Sequence, residues 1–114
     1  MYTIVYYENI GGKRPVEEFI DGLGAKTRAK VFSGIAMLRE YGPVVGMPYA
    51  KKLTDGIFEL RVSCGTDEVR ILYFFEAGGQ IVLSNGFMKK TRKTPAGELQ
   101  RARRIRTEWR KTHG

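Results

Sequence analysis

A chain of 114 residues with 42% hydrophobic and 11% aromatic residues has the composition of one globular domain, which excludes a disordered segment. The single cysteine, Cys64, excludes an internal disulfide, and one cysteine with one histidine argues against a zinc site. The net charge of +8 comes mainly from residues 51–114, where fourteen Lys and Arg face seven Asp and Glu. Such a positive field is typical of a polyanion binder, although solubility or an acidic protein partner would explain it too.

The sequence predicts neither a signal peptide nor a membrane span, and it has no motif typical of cofactor binding. The N-terminal stretch MYTIVYYENIGGKR has no basic region ahead of an apolar one, and no apolar run approaches the ~20 residues of a membrane span. We therefore expect a cytoplasmic protein, in keeping with its free cysteine. No glycine-rich loop carries a phosphate-binding lysine at the required spacing, and no cofactor is expected.

The first 56 residues predict a strand, two helices and a loop. The β-branched and aromatic run YTIVYY, residues 2–7, is typical of a strand. Pro15 suits a first helical position, and the apolar residues after it recur at helical spacing. A second amphipathic stretch predicts a helix over Ala25–Tyr41, and residues 42–56, rich in Gly and Pro, predict a loop.

The second half predicts three strands and a last helix. The runs IFELRVSC, EVRILYFFE and QIVLSNGF are joined by links too short for parallel crossovers, so they form an antiparallel meander. Thr94 is a candidate N-cap for a helix over residues 95–111. The predicted fold class is α+β, with an antiparallel sheet, helices mainly on one face, and an exposed face opposite them.

A set of basic residues is predicted to converge near the ends of these strands. Arg61 and Arg70 lie on adjacent strands, and Glu59 shares the strand face of Arg61. The other cations lie before the first of the three strands and after the last: Lys51, Lys52, Lys89, Lys90, Arg92 and Lys93. The alternative is that these groups form surface ion pairs, worth ~0–1 kcal/mol, and a solvated connection.

Phe87 lies beside this basic segment, at the end of the third strand. An aromatic ring next to cations can stack on a base while the cations hold phosphates. The alternative is that Phe87 is a core residue that continues the alternation of Ile81 and Leu83.

The segments KKLTDGIFELRV, VRILYFF and IVLSNGFMKKTRKTP, followed by a basic helix, resemble the HigB branch of the RelE/ParE toxin superfamily, which includes phage-derived, host-killing Gp49-like proteins. The resemblance covers most of the chain and is strongest over residues 51–106. It implies a microbial RNase fold of order β-α-α-β-β-β-α and a type II toxin that cleaves mRNA in the ribosomal A site without a metal. It also implies a cognate helix-turn-helix antitoxin of the HigA or Xre type, through which alone the toxin would contact operator DNA.

The resemblance further implies roles for individual residues. Arg70, in VRILY, corresponds to the family's main phosphate and transition-state ligand, and Arg61 to a second basic strand position. Glu59 stands where RelE-like toxins have a lysine and is a candidate general base, with Lys89 or Lys90 as general acid. RNA contacts are expected from Lys51, Lys52, Phe87, Arg92 and Lys93. Family members often use His, Tyr or paired Lys as proton carriers, and this chain has no His near the site and no Tyr beside Phe87.

Two other functions remain open from the sequence. A ParE-like toxin would bind DNA gyrase without cleaving nucleic acid, and a regulatory module would bind nucleic acid without catalysis. Gyrase-directed relatives generally lack a cationic catalytic set, so Arg61, Arg70 and the lysine pair favour the ribonuclease.

Overall fold

A computed structural model describes residues 1–113, which form a five-stranded sheet and three α-helices. The elements in chain order are β1 (Thr3–Tyr6), α1 (Pro15–Asp21), α2 (Ala25–Tyr41), β2 (Ala50–Thr54), β3 (Ile57–Cys64), β4 (Asp67–Glu76), β5 (Gln80–Met88) and α3 (Ala96–His113). The strand order is β1-β5-β4-β3-β2, with β1 parallel to β5 and all other neighbours antiparallel. The predicted α+β fold class is confirmed. No helix in the described part combines the length and apolar character needed to span a bilayer.

The strand β2 lies in the segment that the sequence predicts as a loop. It pairs with β3 at the edge of the sheet, with Lys51 opposite Glu59 and Lys52 opposite Phe58. Its sequence, AKKLT, lacks the alternation of apolar and polar residues that marks a half-buried strand. Lysines are common on edge strands because their charge discourages pairing with another chain.

The sheet is covered on both faces, and each face has its own apolar core. The first core lies between the sheet and α1 and α2, and it includes Val16, Ile20, Val31, Ile35, Leu38, Leu60, Ile71 and Leu83. The second lies between the sheet and α3, and it includes Leu72, Phe74, Val82, Ala102, Ile105 and Trp109. Two helices thus share one face, and α3 covers part of the face that the sequence leaves open.

An extra residue in β5 changes which side chains face each core. Leu72 of β4 pairs with Asn85, but the next residue, Tyr73, pairs with Leu83, so Ser84 is a β-bulge. Ser84 is fully buried, and its Oγ donates a 3.0 Å hydrogen bond to the carbonyl oxygen of Leu72. The alternation therefore shifts by one position, and residues after the bulge point to the opposite face from those that simple counting predicts.

Polar contacts attach α3 to the rest of the molecule. The Tyr7 hydroxyl donates a 2.5 Å hydrogen bond to Glu108 Oε2, and Arg110 Nε lies 2.8 Å from Glu76 Oε1. Burial, reinforced by the hydrogen bond to Glu108, raises the pKa of Tyr7 to about 12. These contacts hold the C-terminal half of α3 against the rest of the molecule.

Substituting Gly86 tests the close packing of α1 on β5. A Cβ at this position would lie 2.6 Å from Phe19 Cδ2, so Gly86→Ala forces α1 away from the sheet. We expect a loss of roughly 1–3 kcal/mol in the free energy of unfolding, measured by urea denaturation. A second substitution, Phe19→Leu, should recover part of this loss.

Gly97→Ala is the matched control, because nothing lies within 4 Å of a Cβ at Gly97, in the first turn of α3. It should leave stability unchanged or raise it by up to about 1 kcal/mol, since alanine favours helix. Equal stability of the Gly86→Ala and Gly97→Ala variants would contradict the close packing of α1 on β5.

Tyr7→Phe should make stability less sensitive to high pH. The raised pKa of Tyr7 means that its stabilising contribution is complete below about pH 10, the ordinary value for tyrosine, and is lost as the pH rises towards about 12. The difference in unfolding free energy between parent and variant should therefore shrink over this range, as measured by urea denaturation at each pH. Tyr41→Phe, at a side chain 59% exposed, is the control, and a constant difference for Tyr7→Phe would refute the prediction.

Candidate functional site

The sheet register brings four of the predicted residues to the face that carries α3. Arg61 of β3 pairs with Arg70 of β4, and Arg70 pairs with Phe87 of β5. Glu59 lies two residues before Arg61 and so shares its face. The predicted adjacency of Arg61, Arg70 and Glu59 is therefore present in the structure.

Phe87 reaches this face only because of the bulge at Ser84. It lies on the opposite side of the sheet from Ile81 and Leu83, whereas the alternation in the sequence predicts the same side. Phe87 is 8% exposed and packs in the core beneath α3. Little of its ring is therefore free to stack on a base, and the predicted RNA contact by Phe87 is replaced by a position in the core.

Arg70 is buried between two carboxylates, with 4% of its surface exposed. Its Nη1 donates a 2.9 Å hydrogen bond to the carbonyl oxygen of Val69, and its Nη2 lies 3.4 Å from Glu68 Oε1. Its Nε lies 3.9 Å from Glu59 Oε2 and has no hydrogen-bond partner. A buried guanidinium with an unused donor is an unusual arrangement, because burying a charge is costly unless its polar atoms are satisfied.

Glu59 is 1% exposed and links the sheet to the segment before α3. The Thr94 hydroxyl donates a 2.6 Å hydrogen bond to Glu59 Oε1. The sequence predicts Thr94 as an N-cap, but α3 begins at Ala96, and the Leu99 N–H donates to the carbonyl oxygen of Pro95 instead. The Thr94 side chain thus serves the site rather than the helix end.

Glu59, Arg61 and Thr94 border a cleft of about 360 Å³, which we call the α3 cleft. Arg70 and Phe87 are buried beside it and do not line it. Its walls come from β2, β3, the segment after β5 and the first turn of α3. Five cations and one carboxylate line it: Lys51, Arg61, Lys89, Arg92, Lys93 and Glu59, with Thr94 and Leu99 among the uncharged residues. The excess of positive charge attracts a polyanion, and the buried carboxylate can accept a proton from it.

Two of the predicted lysines lie outside the α3 cleft. Lys52 is opposite Phe58, whose side chain packs on the core beneath α1 and α2, so Lys52 projects to the other face of the sheet. Lys90 is exposed and does not line the cleft, whereas Lys89 does. The Lys89 N–H donates a 2.7 Å hydrogen bond to the carbonyl oxygen of Glu68, which continues the β5 pairing and keeps Lys89 on the cleft side.

Sequence reasoning missed several residues that hold the site together. Glu68 contacts Arg70 and accepts a 2.8 Å hydrogen bond from Ser63 Oγ, and its spacing of two from Arg70 was a usable signal. Asn85 is fully buried, and its Nδ2 donates a 2.9 Å hydrogen bond to Glu98 Oε1 in the first turn of α3. No local signal predicts this contact, because it depends on the bulge.

The described residues include no ready set of metal ligands. Across residues 1–113, no three His, Cys, Asp or Glu side chains are grouped closely enough to hold an ion. The groups in the α3 cleft are instead suited to binding phosphate through cations and to moving one proton through Glu59.

Comparison with known families gives one match. The family model described as "Phage derived protein Gp49-like (DUF891)" matches residues 18–107. This range contains every cleft residue named above, from Lys51 to Leu99. No curated protein matches the chain.

Replacing Arg70 should destabilise the protein far more than replacing Arg61. Arg70→Met leaves the buried Glu59 without its cationic neighbour, and the loss of one partner of a buried ion pair costs roughly 3–5 kcal/mol. Arg61 is only half-buried, so Arg61→Met should cost less than about 1 kcal/mol. Urea denaturation of both variants measures the difference, and similar losses would show that the Arg70 contacts are not stabilising.

Proposed function

Since the chain belongs to the family of phage-derived Gp49-like proteins, we propose that it is the toxin of a type II toxin–antitoxin system and acts in the cytoplasm as a metal-independent endoribonuclease. Its substrate in this proposal is mRNA on the ribosome, whose cleavage stops translation. The HigB-like sequence features at residues 51–106 motivate the ribonuclease activity, and the α3 cleft supports it. The observation that carries the proposal is the buried carboxylate of Glu59 at the base of a cleft lined by five cations.

The proposed reaction is a transfer of phosphate within the RNA. Glu59 accepts the proton of the ribose 2′-OH, and the 2′-oxygen forms a bond to the adjacent phosphorus. The bond from phosphorus to the 5′-oxygen of the next nucleotide breaks, and a lysine ammonium donates a proton to that oxygen. The products are a 2′,3′-cyclic phosphate and a 5′-OH, and no metal or oxidant is required.

The positions of the five cations support three different roles in this reaction. Arg61 and Lys89 line the cleft and are accessible to a phosphate that enters it. Lys89 is better placed than Lys90 to protonate the leaving group, because only Lys89 of the two lines the cleft. Lys51, Arg92 and Lys93 supply the field that attracts RNA.

In the proposed reaction, the effect of Arg70 on the phosphate depends on whether Glu59 is protonated. Before reaction its charge faces the carboxylates of Glu59 and Glu68. Once Glu59 has accepted a proton and lost its charge, the positive charge of Arg70 is no longer balanced by Glu59, and its field stabilises negative charge on the phosphate from behind the cleft wall without direct contact. Arg70 would then act in the transition state more strongly than in the ground state, as efficient catalysis requires.

The charge of the cleft also suits the proposed antitoxin. A helix-turn-helix antitoxin with an acidic segment would neutralise the five cations and exclude RNA at the same time. Operator DNA would then be contacted through the antitoxin.

A non-catalytic nucleic-acid-binding protein is the second candidate, and the burial of Arg70 favours it. A guanidinium that is 4% exposed and neutralised by two carboxylates contributes little to ground-state binding of phosphate. In that case the accessible cations would bind RNA and no cleavage would follow.

Glu59→Gln should separate these two candidates. The variant keeps the shape of the side chain and an acceptor for Thr94, but it removes the base, so cleavage should fall about 100-fold or more while RNA binding is retained. Cleavage is measured on translated mRNA by mapping 5′ ends, with the 2′,3′-cyclic phosphate identified on the upstream product. Addition of EDTA should have no effect.

Glu18→Gln, at an exposed glutamate of α1, is the matched control and should cleave as the parent does. A 2′-deoxy substitution at the cleaved position should block the reaction in both. Growth arrest without new mRNA ends would refute the ribonuclease, and accompanying loss of DNA supercoiling would favour a gyrase-directed toxin. Full activity of the Glu59→Gln variant would refute the assignment of the base.

A further inference from the structure

We propose that a second groove, on the opposite face of the same sheet edge, binds a base and phosphate of single-stranded RNA next to the cleavage site; this rests on the proposed function. The groove lies between α2 and β3, with a volume of about 340 Å³, and we call it the α2 groove. The residues used in the argument are Lys30, Gly34, Tyr49, Arg61 and Ser63.

The α2 groove and the α3 cleft meet at Arg61, which is a lining residue of both. The strand β2 pairs with β3 only as far as the bond from the Arg61 N–H to the carbonyl oxygen of Tyr49, at 2.8 Å. The end of β3 beyond Arg61 therefore has no strand beside it on that edge. A flexible chain can pass around this open edge from one face to the other, with Arg61 at the crossing point.

Tyr49 provides an aromatic surface in the α2 groove. It is 54% exposed, and Met47, whose Sδ lies 3.2 Å from Arg61 Nη1, is 62% exposed. Exposed apolar side chains that lie together beside an arginine mark a binding surface more often than isolated ones do. Single-stranded RNA uses such aromatic rings to stack its bases, and arginine planes contribute in the same way.

Close packing of α2 on β3 forms the inner side of the α2 groove. Gly34 forms part of the lining, and a Cβ at this position would lie 3.4 Å from side-chain atoms of Leu60 and Val62. Gly34 is buried, so its missing side chain lets α2 lie close to Leu60 and Val62 of β3.

The charges of the α2 groove suit a phosphate group. Its lining includes Lys30 and Arg61 and has no acidic residue. Lys30 Nζ lies 3.3 Å from the carbonyl oxygen of Ser63 and donates one hydrogen bond there, which leaves two further donors on the ammonium group. Two other clefts differ, because one contains Glu17 and Asp21 beside Arg14 and the other contains Glu8 and Glu108. A cleft between β1 and α2 contains Arg39 and no acidic residue, but it does not adjoin the α3 cleft through a shared residue.

The test compares the binding of short and long RNA. Oligonucleotides of about three and about eight nucleotides, 2′-O-methylated to prevent cleavage, are titrated with protein and followed by fluorescence anisotropy. Tyr49→Ala should weaken binding of the long RNA about tenfold and leave the short RNA unaffected, because only the long one reaches the groove. Tyr49→Phe should bind as the parent does, and Tyr41→Ala, at another exposed tyrosine, is the matched control.

Lys30→Ala gives an independent measurement. The salt dependence of binding to the long RNA should fall by about 0.7 in the slope of log K against log salt, the value for one phosphate contact on a single strand. Lys26→Ala, at another exposed lysine of α2 outside the groove, should leave the slope unchanged.

The outcomes distinguish this inference from the proposed function. If the parent cleaves RNA but Tyr49→Ala binds the long RNA as tightly as the parent, the groove is not an RNA subsite and the proposed function stands. If the parent neither binds nor cleaves RNA, the proposed function fails and the inference fails with it. If Tyr49→Ala weakens the antitoxin complex and leaves RNA binding unchanged, the groove belongs to a protein partner and the inference is refuted.

Discussion

The extra residue at Ser84 decides which side chains meet beneath α3. Before it, Ile81 and Leu83 face α1 and α2; after it, Asn85 and Phe87 face α3. Without the bulge, Phe87 would leave the row that it forms with Arg61 and Arg70, and Asn85 would lose its bond to Glu98. The cost of an unpaired residue in the ladder is offset because the Ser84 hydroxyl bonds to the Leu72 carbonyl oxygen.

The charged groups of the site are held from several elements at once. Glu59 is bound by Thr94 from the segment before α3, and Glu68 is held by Ser63 from β3. These partners compensate for part of the free energy needed to bury Glu59 and Arg70. The result is a rigid polar base under a cleft whose other cations are accessible, which is the arrangement that electrostatic preorganisation needs.

The sequence predicts the order of the main elements and the adjacency of Arg61 and Arg70, because hydrophobic period and short turns determine both. The sequence does not predict β2, because a strand at the edge of a sheet does not need alternating apolar residues. Lys51 and Lys52 are therefore expected at one site, although in the structure they project to opposite faces of the sheet. The bond between Thr94 and Glu59 spans 35 positions and has no local signal. Base stacking by Phe87 would require an exposed ring. The pattern of a single sequence does not show that the fold leaves only 8% of Phe87 exposed.

The mutual burial of Glu59 and Arg70 has a consequence for how this site can diverge. Replacing Arg70 alone leaves the charge of Glu59 uncompensated in the interior, whereas replacing Glu59 with glutamine leaves Arg70 beside Glu68. An exchange that begins at Arg70 therefore passes through a poorly folded intermediate. Substitution of Arg70 is therefore conditional on the residue at position 59, and an alignment of related chains should show Arg70 replaced only where Glu59 is replaced too. Lys90, exposed and without such a partner in its surroundings, is free to vary on its own.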